Sequence, residues 1–254
     1  MKLIFLPIIV FIVLAVTLLS QNLFSEGKQA HGLFPKNTLE STIANWNDGT
    51  DAFHQQVLKS NGEWIENAGN AVFDNQPVQT ISKVKTESIL DQAKQSQVLG
   101  LHTASDGTEK WIEIDLSNFK LYAWEGNRKI YEFSISTGRP GYNTPTGEFR
   151  VWRKVLFQAY KGGSRERGDY YYLPNVPFSL FFGGGDVSNR KGYAIHGAYW
   201  HNDFGVKNRS SGCINVKPEE AGLLYNWAGP FMPDGVNTFN ASDDNPGVRV
   251  AIHS

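Results

Sequence analysis

Trp111-Ile112-Glu113-Ile114-Asp115-Leu116-Ser117-Asn118-Phe119-Lys120-Leu121-Tyr122-Ala123-Trp124-Glu125-Gly126-Asn127 is the stretch that sets the fold class. Trp111, Ile112, Ile114 and Leu116 alternate with polar residues. A period of two puts one side of the chain on a core and the other in water, which is a half-buried strand. Ser117-Asn118 begins a turn, Lys120 to Trp124 reads as a second strand, Glu125-Gly126-Asn127 as a hairpin turn, and Lys129 to Ser136 as a third strand. Downstream, Gly138 to Gly147 is a Pro/Gly loop, Glu148 to Trp152 resumes as strand, and Val248 to Ile252 reads as a closing strand. Pro218 opens a helix that runs to Trp227, with Glu219 and Glu220 where the helix dipole favours acids. Residues 158–190, rich in aromatics and glycine, read as a long loop of the functional or mobile kind. The expected architecture over residues 106–254 is mostly β, a curved sandwich or barrel-like sheet with one or two helices.

Upstream the pattern changes. Leu39, Ile43 and Trp46 recur at helical spacing, and Thr50 and Asp51 precede Phe53, Val57 and Leu58 as a cap would. Thr86 and Glu87 precede Ile89, Leu90, Ala93 and Val98, with Gly100 as a C-terminal stop. Residues 21–37 are polar, and the whole of 26–105 reads as a linker and a small helical region, an accessory module or a stalk. Residues 1–25 read as a signal peptide or membrane anchor. Lys2 is followed by an apolar run from Leu3 to Leu19, about 17 residues, at the short edge of what spans a bilayer. No small-x-small cleavage site stands out, because Leu18 sits third before a cut after Ser20. Both a cleaved signal and a retained anchor through residues 3–19 fit. The rest of the chain is expected to work in the periplasm or cell envelope.

Composition narrows the function. The 254 residues carry 24 Lys plus Arg against 25 Asp plus Glu, a net charge of -1, which argues against a nucleic-acid partner. The chain is 41% hydrophobic and 19% charged, enough to bury a sizeable core. Cys213 is the single cysteine, which excludes an intramolecular disulfide and a zinc site built on several cysteines. No phosphate-binding loop or dinucleotide fingerprint occurs, and His201, five residues after His196 in a non-helical segment, lacks the i, i+4 spacing of a helical ligand pair. No cofactor and no metal are therefore expected.

Two segments carry chemistry. Gly192-Tyr193-Ala194-Ile195-His196-Gly197 delivers a histidine at the end of an apolar run, and Ser210-Ser211-Gly212-Cys213-Ile214-Asn215-Val216 places the cysteine after a serine pair and a glycine. A thiol becomes a nucleophile when a histidine takes its proton, and a glycine before it lets backbone amides converge as an oxyanion hole. A lone cysteine is equally a small buried hydrophobe. In an exported chain an odd cysteine tilts the reading towards a reactive thiol.

His196-Gly197 followed by Ser210-Ser211-Gly212-Cys213-Ile214-Asn215 resembles the active-site signature of the L,D-transpeptidase (YkuD-like) family. Trp111 to Ser117, Phe133 through Thr137-Gly138, and Thr144-Pro145-Thr146-Gly147-Glu148-Phe149 resemble that family's opening hairpin and its Thr-Pro-x-Gly turn, and Pro177 to Ile195 its His-bearing strand. The resemblance covers about residues 110–253. It departs in one place above all: many members have a histidine where this chain has Ser211.

The resemblance implies acyl transfer on peptidoglycan stem peptides. Cys213 is the implied nucleophile and His196 the base and acid. The Gly197 carbonyl would orient the imidazole, and the amides of Gly212 and Cys213 would hold the oxyanion. Ser210, Ser211, Asn215, Tyr193 and Trp200 are the candidate substrate contacts. The site is expected in a cleft beneath the 158–190 segment, with a depressed thiol pKa that makes Cys213 reactive towards carbapenems. Transfer to a stem amine gives a 3→3 cross-link. Transfer to water would make an L,D-carboxypeptidase. An exported cysteine amidase on another substrate and a non-catalytic cell-wall-binding module are the competing readings.

Overall fold

The computed structural model describes residues 50–98 and 108–254. The expected anchor, the 21–37 linker, the Leu39–Trp46 helix and the Gly100 stop lie outside the described residues. Among the described residues no helix is long and apolar enough to cross a membrane.

The first hairpin of the mostly β region forms as read: β3 (Lys110–Asp115) and β4 (Lys120–Glu125) pair antiparallel, and β5 (Arg128–Ser134) adds to β4. Ile112, Ile114, Leu121 and Ala123 are buried, while the alternate residues stay partly wet. Trp111 and Trp124 stack on the wetter face at 5.8 Å.

The sheet is organised on the next two strands. β6 (Gly147–Gly162) and β7 (Tyr171–Gly183) form one long antiparallel pair. Residues 158–190 are therefore not one loop, which corrects the sequence reading. Only 163–170 and 184–193 remain as connections. Every residue from Leu173 to Gly183 is buried, so no alternation marks the strand, and Pro174 and Pro177 read against it. The chain accommodates the prolines at irregular positions. Asn175 and Phe178 adopt φ of 53° and 64°, and the pairing with β6 shifts register between Gln158 and Tyr160. Burying Phe178, Leu180, Phe181 and Phe182 contributes about 1.5–3 kcal/mol each.

Around this pair the remaining strands complete the sheet. With β1 (Ala71–Phe73), β2 (Gln76–Val78) and β11 (Arg249–His253), the order is β2-β1-β7-β6-β11-β3-β4-β5, with β10 (Thr238–Asn240) on β6, and with β8 (Ala194–Gly197) on β7 carrying β9 (Ile214–Val216). β11 (Arg249–His253) runs parallel to β3. α3 (Pro218–Trp227) begins and ends where the sequence places it and packs on β7 and β8. Buried Lys154 donates to the carbonyls of Tyr225 (2.6 Å) and Ala228 (2.8 Å), which the helix C-terminus leaves without partners of their own.

The upstream segment holds α1 (Thr50–Lys59), the hairpin β1 (Ala71–Phe73) and β2 (Gln76–Val78), and α2 (Lys83–Val98). The hairpin was not read from the sequence. α2 starts earlier than Thr86, with the Ser82 hydroxyl accepting from Lys85 N at 3.2 Å. These elements lie on the same core as the sheet. Ile81 and Ile89 join the main cluster. A Cβ at Gly222 would sit 2.4 Å from Ile89 Cγ2, so α2 and α3 meet where one has no side chain. β1 pairs with β7 at Val72↔Tyr172. The Asn175 carboxamide holds Ile65 by both backbone groups, at 2.8 and 3.0 Å.

Candidate active site

β8 and β9 run parallel, pairing Ile195↔Ile214, His196↔Asn215 and Gly197↔Val216, and β8 is held on β7 through Leu180↔Ile195. Side chains alternate along a strand. Cys213, two residues before Asn215, thus lies on the Asn215 side, and Asn215 stands opposite His196. Sequence positions 196 and 213 become neighbours because two three- to four-residue strands pair.

The turn into β9 is tied by two side chains. Ser210 Oγ accepts from Gly212 N at 3.0 Å and donates to the Cys213 carbonyl at 2.5 Å. Thr144 Oγ1, from the Thr-Pro-Thr-Gly loop, donates to the Gly212 carbonyl at 2.9 Å and accepts from Gly138 N at 3.0 Å. Gly212 adopts φ of 113°, and a Cβ there would meet the Tyr193 ring at 2.4 Å.

Cys213, His196, Ser210, Ser211, Asn215 and Trp200 line one small cavity of about 50 Å³. Its other walls are Tyr160, Tyr171, Leu173 and Phe73, with Arg139 and Arg209 among the lining residues. The Tyr160 ring lies 4.9 Å and the Trp200 ring 5.7 Å from the imidazole. Cys213 also opens on a larger groove of about 590 Å³, shared with Tyr193, Tyr171 and Ser211 and lined by Arg139, Lys161, Arg167, Lys191 and one carboxylate, Asp169.

Burial governs the electrostatics of the pair. His196 is 3% exposed, and desolvation holds its ring down at about 4 against the favourable backbone of Gly197. Its Nδ1 is buried without a hydrogen-bond partner. The influence of Gly197 is thus electrostatic and falls short of a hydrogen bond. Desolvation likewise pushes the half-buried Cys213 thiol up to about 11, opposed by the backbone of Ala194. The thiol donates to the Gly192 carbonyl at 3.9 Å, a contact that favours the protonated form. The resting pair is thiol and neutral imidazole. The expected depressed thiol pKa is corrected: a nearby histidine that is itself desolvated brings no positive charge to stabilise a thiolate.

The other expected residues divide. Gly212 has its N–H on Ser210, so in this arrangement it does not offer an oxyanion donor. Ser210 is spent on the turn, whereas Ser211 is exposed at the cavity mouth. Tyr193 lines the outer groove and stacks on Phe182. Gly197 is packed between Pro177 and Pro218, where a Cβ would come within 3.0 and 3.1 Å. Asn215 is 1% exposed, with Nδ2 2.9 Å from His201 Nε2.

Three contributors were missed. His201, set aside as a metal ligand, is the neighbour of Asn215. Phe73, from the upstream hairpin, packs against the Trp200 and His201 rings at 6.1 and 6.5 Å. Arg139 links Asp74 (3.2 Å) and Asp169 (3.5 Å) at the rim. Nothing in the local sequence pattern marks these contacts, because each joins distant segments. Among the described residues no group of three His, Cys, Asp or Glu could hold a metal ion.

The model of the YkuD L,D-transpeptidase catalytic domain matches residues 109–250. No curated protein sequence matches the chain. Among solved structures, an L,D-transpeptidase from Mycobacterium smegmatis is 21% identical at a TM-score of 0.45, over 58% of this chain and 60% of that one. L,D-transpeptidase 3 from Mycobacterium tuberculosis, with a faropenem-derived adduct, is 21% identical at 0.43, over 58% and 61%. The catalytic domain of the E. faecium L,D-transpeptidase acylated by ertapenem is 24% identical at 0.39, over 57% and 98%. The chain thus spans about 60% of the length of these mycobacterial proteins.

Proposed function

The chain belongs to the YkuD family of L,D-transpeptidase catalytic domains, and from that premise we propose that it is an exported peptidoglycan L,D-transpeptidase with Cys213 as nucleophile and His196 as base and acid. The observation that carries this is the single cysteine and a buried histidine lining one aromatic-walled cavity. The cationic lining of the adjoining groove fits the carboxylates of stem peptides. The apolar run at residues 3–19 supports export, cleaved or anchored.

The chemistry follows from the neutral resting pair. The thiol keeps its proton until a tetrapeptide stem is in place. As Sγ attacks the carbonyl between the third residue and the terminal D-alanine, that proton passes to His196. The Gly197 carbonyl is the nearby group able to take up Nδ1–H of the imidazolium so formed. Collapse breaks the C–N bond, His196 gives its proton to the departing D-alanine amine, and a thioester remains on Cys213. A side-chain amine of a second stem then attacks, loses its proton to His196, and releases Sγ, which regains it. Gly212 keeps its N–H on Ser210 and holds the turn. Water in place of the amine gives hydrolysis.

The test is incubation of the full chain, in mild detergent, with a purified disaccharide-tetrapeptide and mass spectrometry of the products. D-Alanine loss with dimers, absent from Cys213→Ala, is the expected result. Loss without dimers would make the protein a carboxypeptidase. Unchanged substrate under conditions where the protein is folded would overturn the assignment.

A further inference from the structure

We propose that His201 is a positioning residue: its protonated Nε2 holds the carboxamide oxygen of Asn215, so that the Asn215 side chain is fixed in the wall of the catalytic cavity. The role in catalysis rests on the transpeptidase reading above; the hydrogen-bond arrangement does not.

The argument is a count of donors and acceptors. His201 Nδ1 lies 3.2 Å from the backbone N–H of Asp203, which can only donate. His201 Nε2 lies 2.9 Å from Asn215 Nδ2, also a donor. A neutral imidazole has one accepting nitrogen and an imidazolium has none, so two donors cannot both be satisfied. Burial holds the ring down at about 4, with Asp203 pulling it up and Arg209 pushing it down, so it is neutral at pH 7. Its one proton must sit on one nitrogen.

The backbone amide of Asp203 cannot turn away. Its carboxylate is held by Arg209 Nε at 2.6 Å, and its carbonyl accepts from Val206 N and Lys207 N. Nδ1 therefore keeps its lone pair and Nε2 carries the hydrogen. The carboxamide is the group free to exchange its two ends by a half-turn, since nitrogen and oxygen are nearly the same size. That half-turn faces oxygen to the Nε2–H. The other end, where Oδ1 is buried without a partner, then carries the N–H₂. Asn215 itself lines the cavity with Cys213 and His196.

The surroundings keep the arrangement rigid. The rings of Phe204 (4.8 Å), Trp200 (5.9 Å) and Phe73 (6.5 Å) enclose His201. The charged or titratable groups acting on it are Asp203 and Arg209, and it in turn acts on His196.

Two measurements test this. The first is the ¹⁵N spectrum of the histidine side chains in the unmodified full chain, assigned with His201→Gln. The expected signature is a neutral Nε2–H tautomer of His201, unchanged from pH 7.5 to 5.5. An Nδ1–H tautomer, or titration near pH 6.5, overturns the proposal whatever the enzyme does. The second is steady-state kinetics on the tetrapeptide. His201→Phe keeps the bulk and removes the hydrogen bond to Asn215; kcat should fall at least about tenfold with KM within about twofold, as for a site residue left free to shift. His201→Gln, whose carboxamide can accept from Asp203 N and donate to Asn215, should recover most of it. Wild-type kcat in His201→Phe, or no advantage of Gln over Phe, refutes the positioning role. An enzyme inert on the tetrapeptide but with the expected tautomer would sink the transpeptidase reading alone.

Discussion

Alkylation of Cys213 by iodoacetamide should rise by one log unit per pH unit from pH 6 to pH 10, without a plateau. The structure supplies the magnitude. A thiol held at about 11 is ionised in about one molecule in 10⁴ at pH 7, against about 3% for an ordinary cysteine near 8.5. That is a deficit of about 300-fold in thiolate. The more basic thiolate is the stronger nucleophile, by about 13-fold for 2.5 units at a Brønsted slope near 0.45. The net reactivity at pH 7 should be about 20-fold below that of an exposed cysteine, before any steric hindrance. The slope carries the decision, because hindrance shifts the whole line without bending it. The assay is intact-protein mass spectrometry over a pH series, with His196→Ala alongside. If the wild type reaches a plateau below about pH 6, the pair is a preformed thiolate–imidazolium. Burial would then not be what sets the resting state. In the expected case His196→Ala alkylates much like the wild type while failing in turnover, since the histidine acts during attack.

Two further outcomes follow from the same geometry. A histidine held below its unfolded value binds its proton more weakly when folded, so its contribution is complete above about pH 6.5 and is lost as pH falls towards 4. For His196 that loss should reach about 2 kcal/mol by pH 5, with a smaller addition from half-buried His201; urea midpoints at pH 7 and pH 5 measure it, and equal midpoints would contradict it. Gly212→Ala should cost about 1–3 kcal/mol from its φ of 113° alone, and should displace the Tyr193 ring that a Cβ meets at 2.4 Å. A Gly212→Ala protein with unchanged thermal midpoint and unchanged Tyr193 spectra would mean that the turn relaxes without strain.

Some of the molecule is written locally and some is not. α3 is legible because Pro218, two acids and buried Leu224 and Trp227 all speak within ten residues. β3 to β5 are legible because one face stays partly wet, so burial leaves a period of two. β7 is dry on both faces and carries two prolines, and it reads as loop for the same reason that it is central. The β1–β2 hairpin hides behind three-residue strands. Its turn is Asp74-Asn75, with φ of 50° and 61°, a left-handed pair made without the glycine that usually announces it. At the site, Cys213 and His196 stand out because few residue types do their chemistry. The direction of the thiol shift was misread because a histidine in a sequence shows identity and not desolvation. His201 and Asn215 meet only in three dimensions, across a loop and a strand.

The hairpin also separates two boundaries that are easily taken for one. The stretch shared with the family begins at residue 109, yet Phe73 lines the cavity and Asp74 holds Arg139 at its rim. Inheritance of the chemistry and inheritance of the pocket are thus carried by different parts of the chain. A chimaera that grafted residues 109–254 onto another leader would receive the nucleophile and the base but not one wall of their chamber. Conversely, drift in residues 71–78 can reshape what the chamber admits while every residue of the shared signature stays fixed. Substrate preference in this protein is open to selection at a place where comparison of catalytic domains does not look.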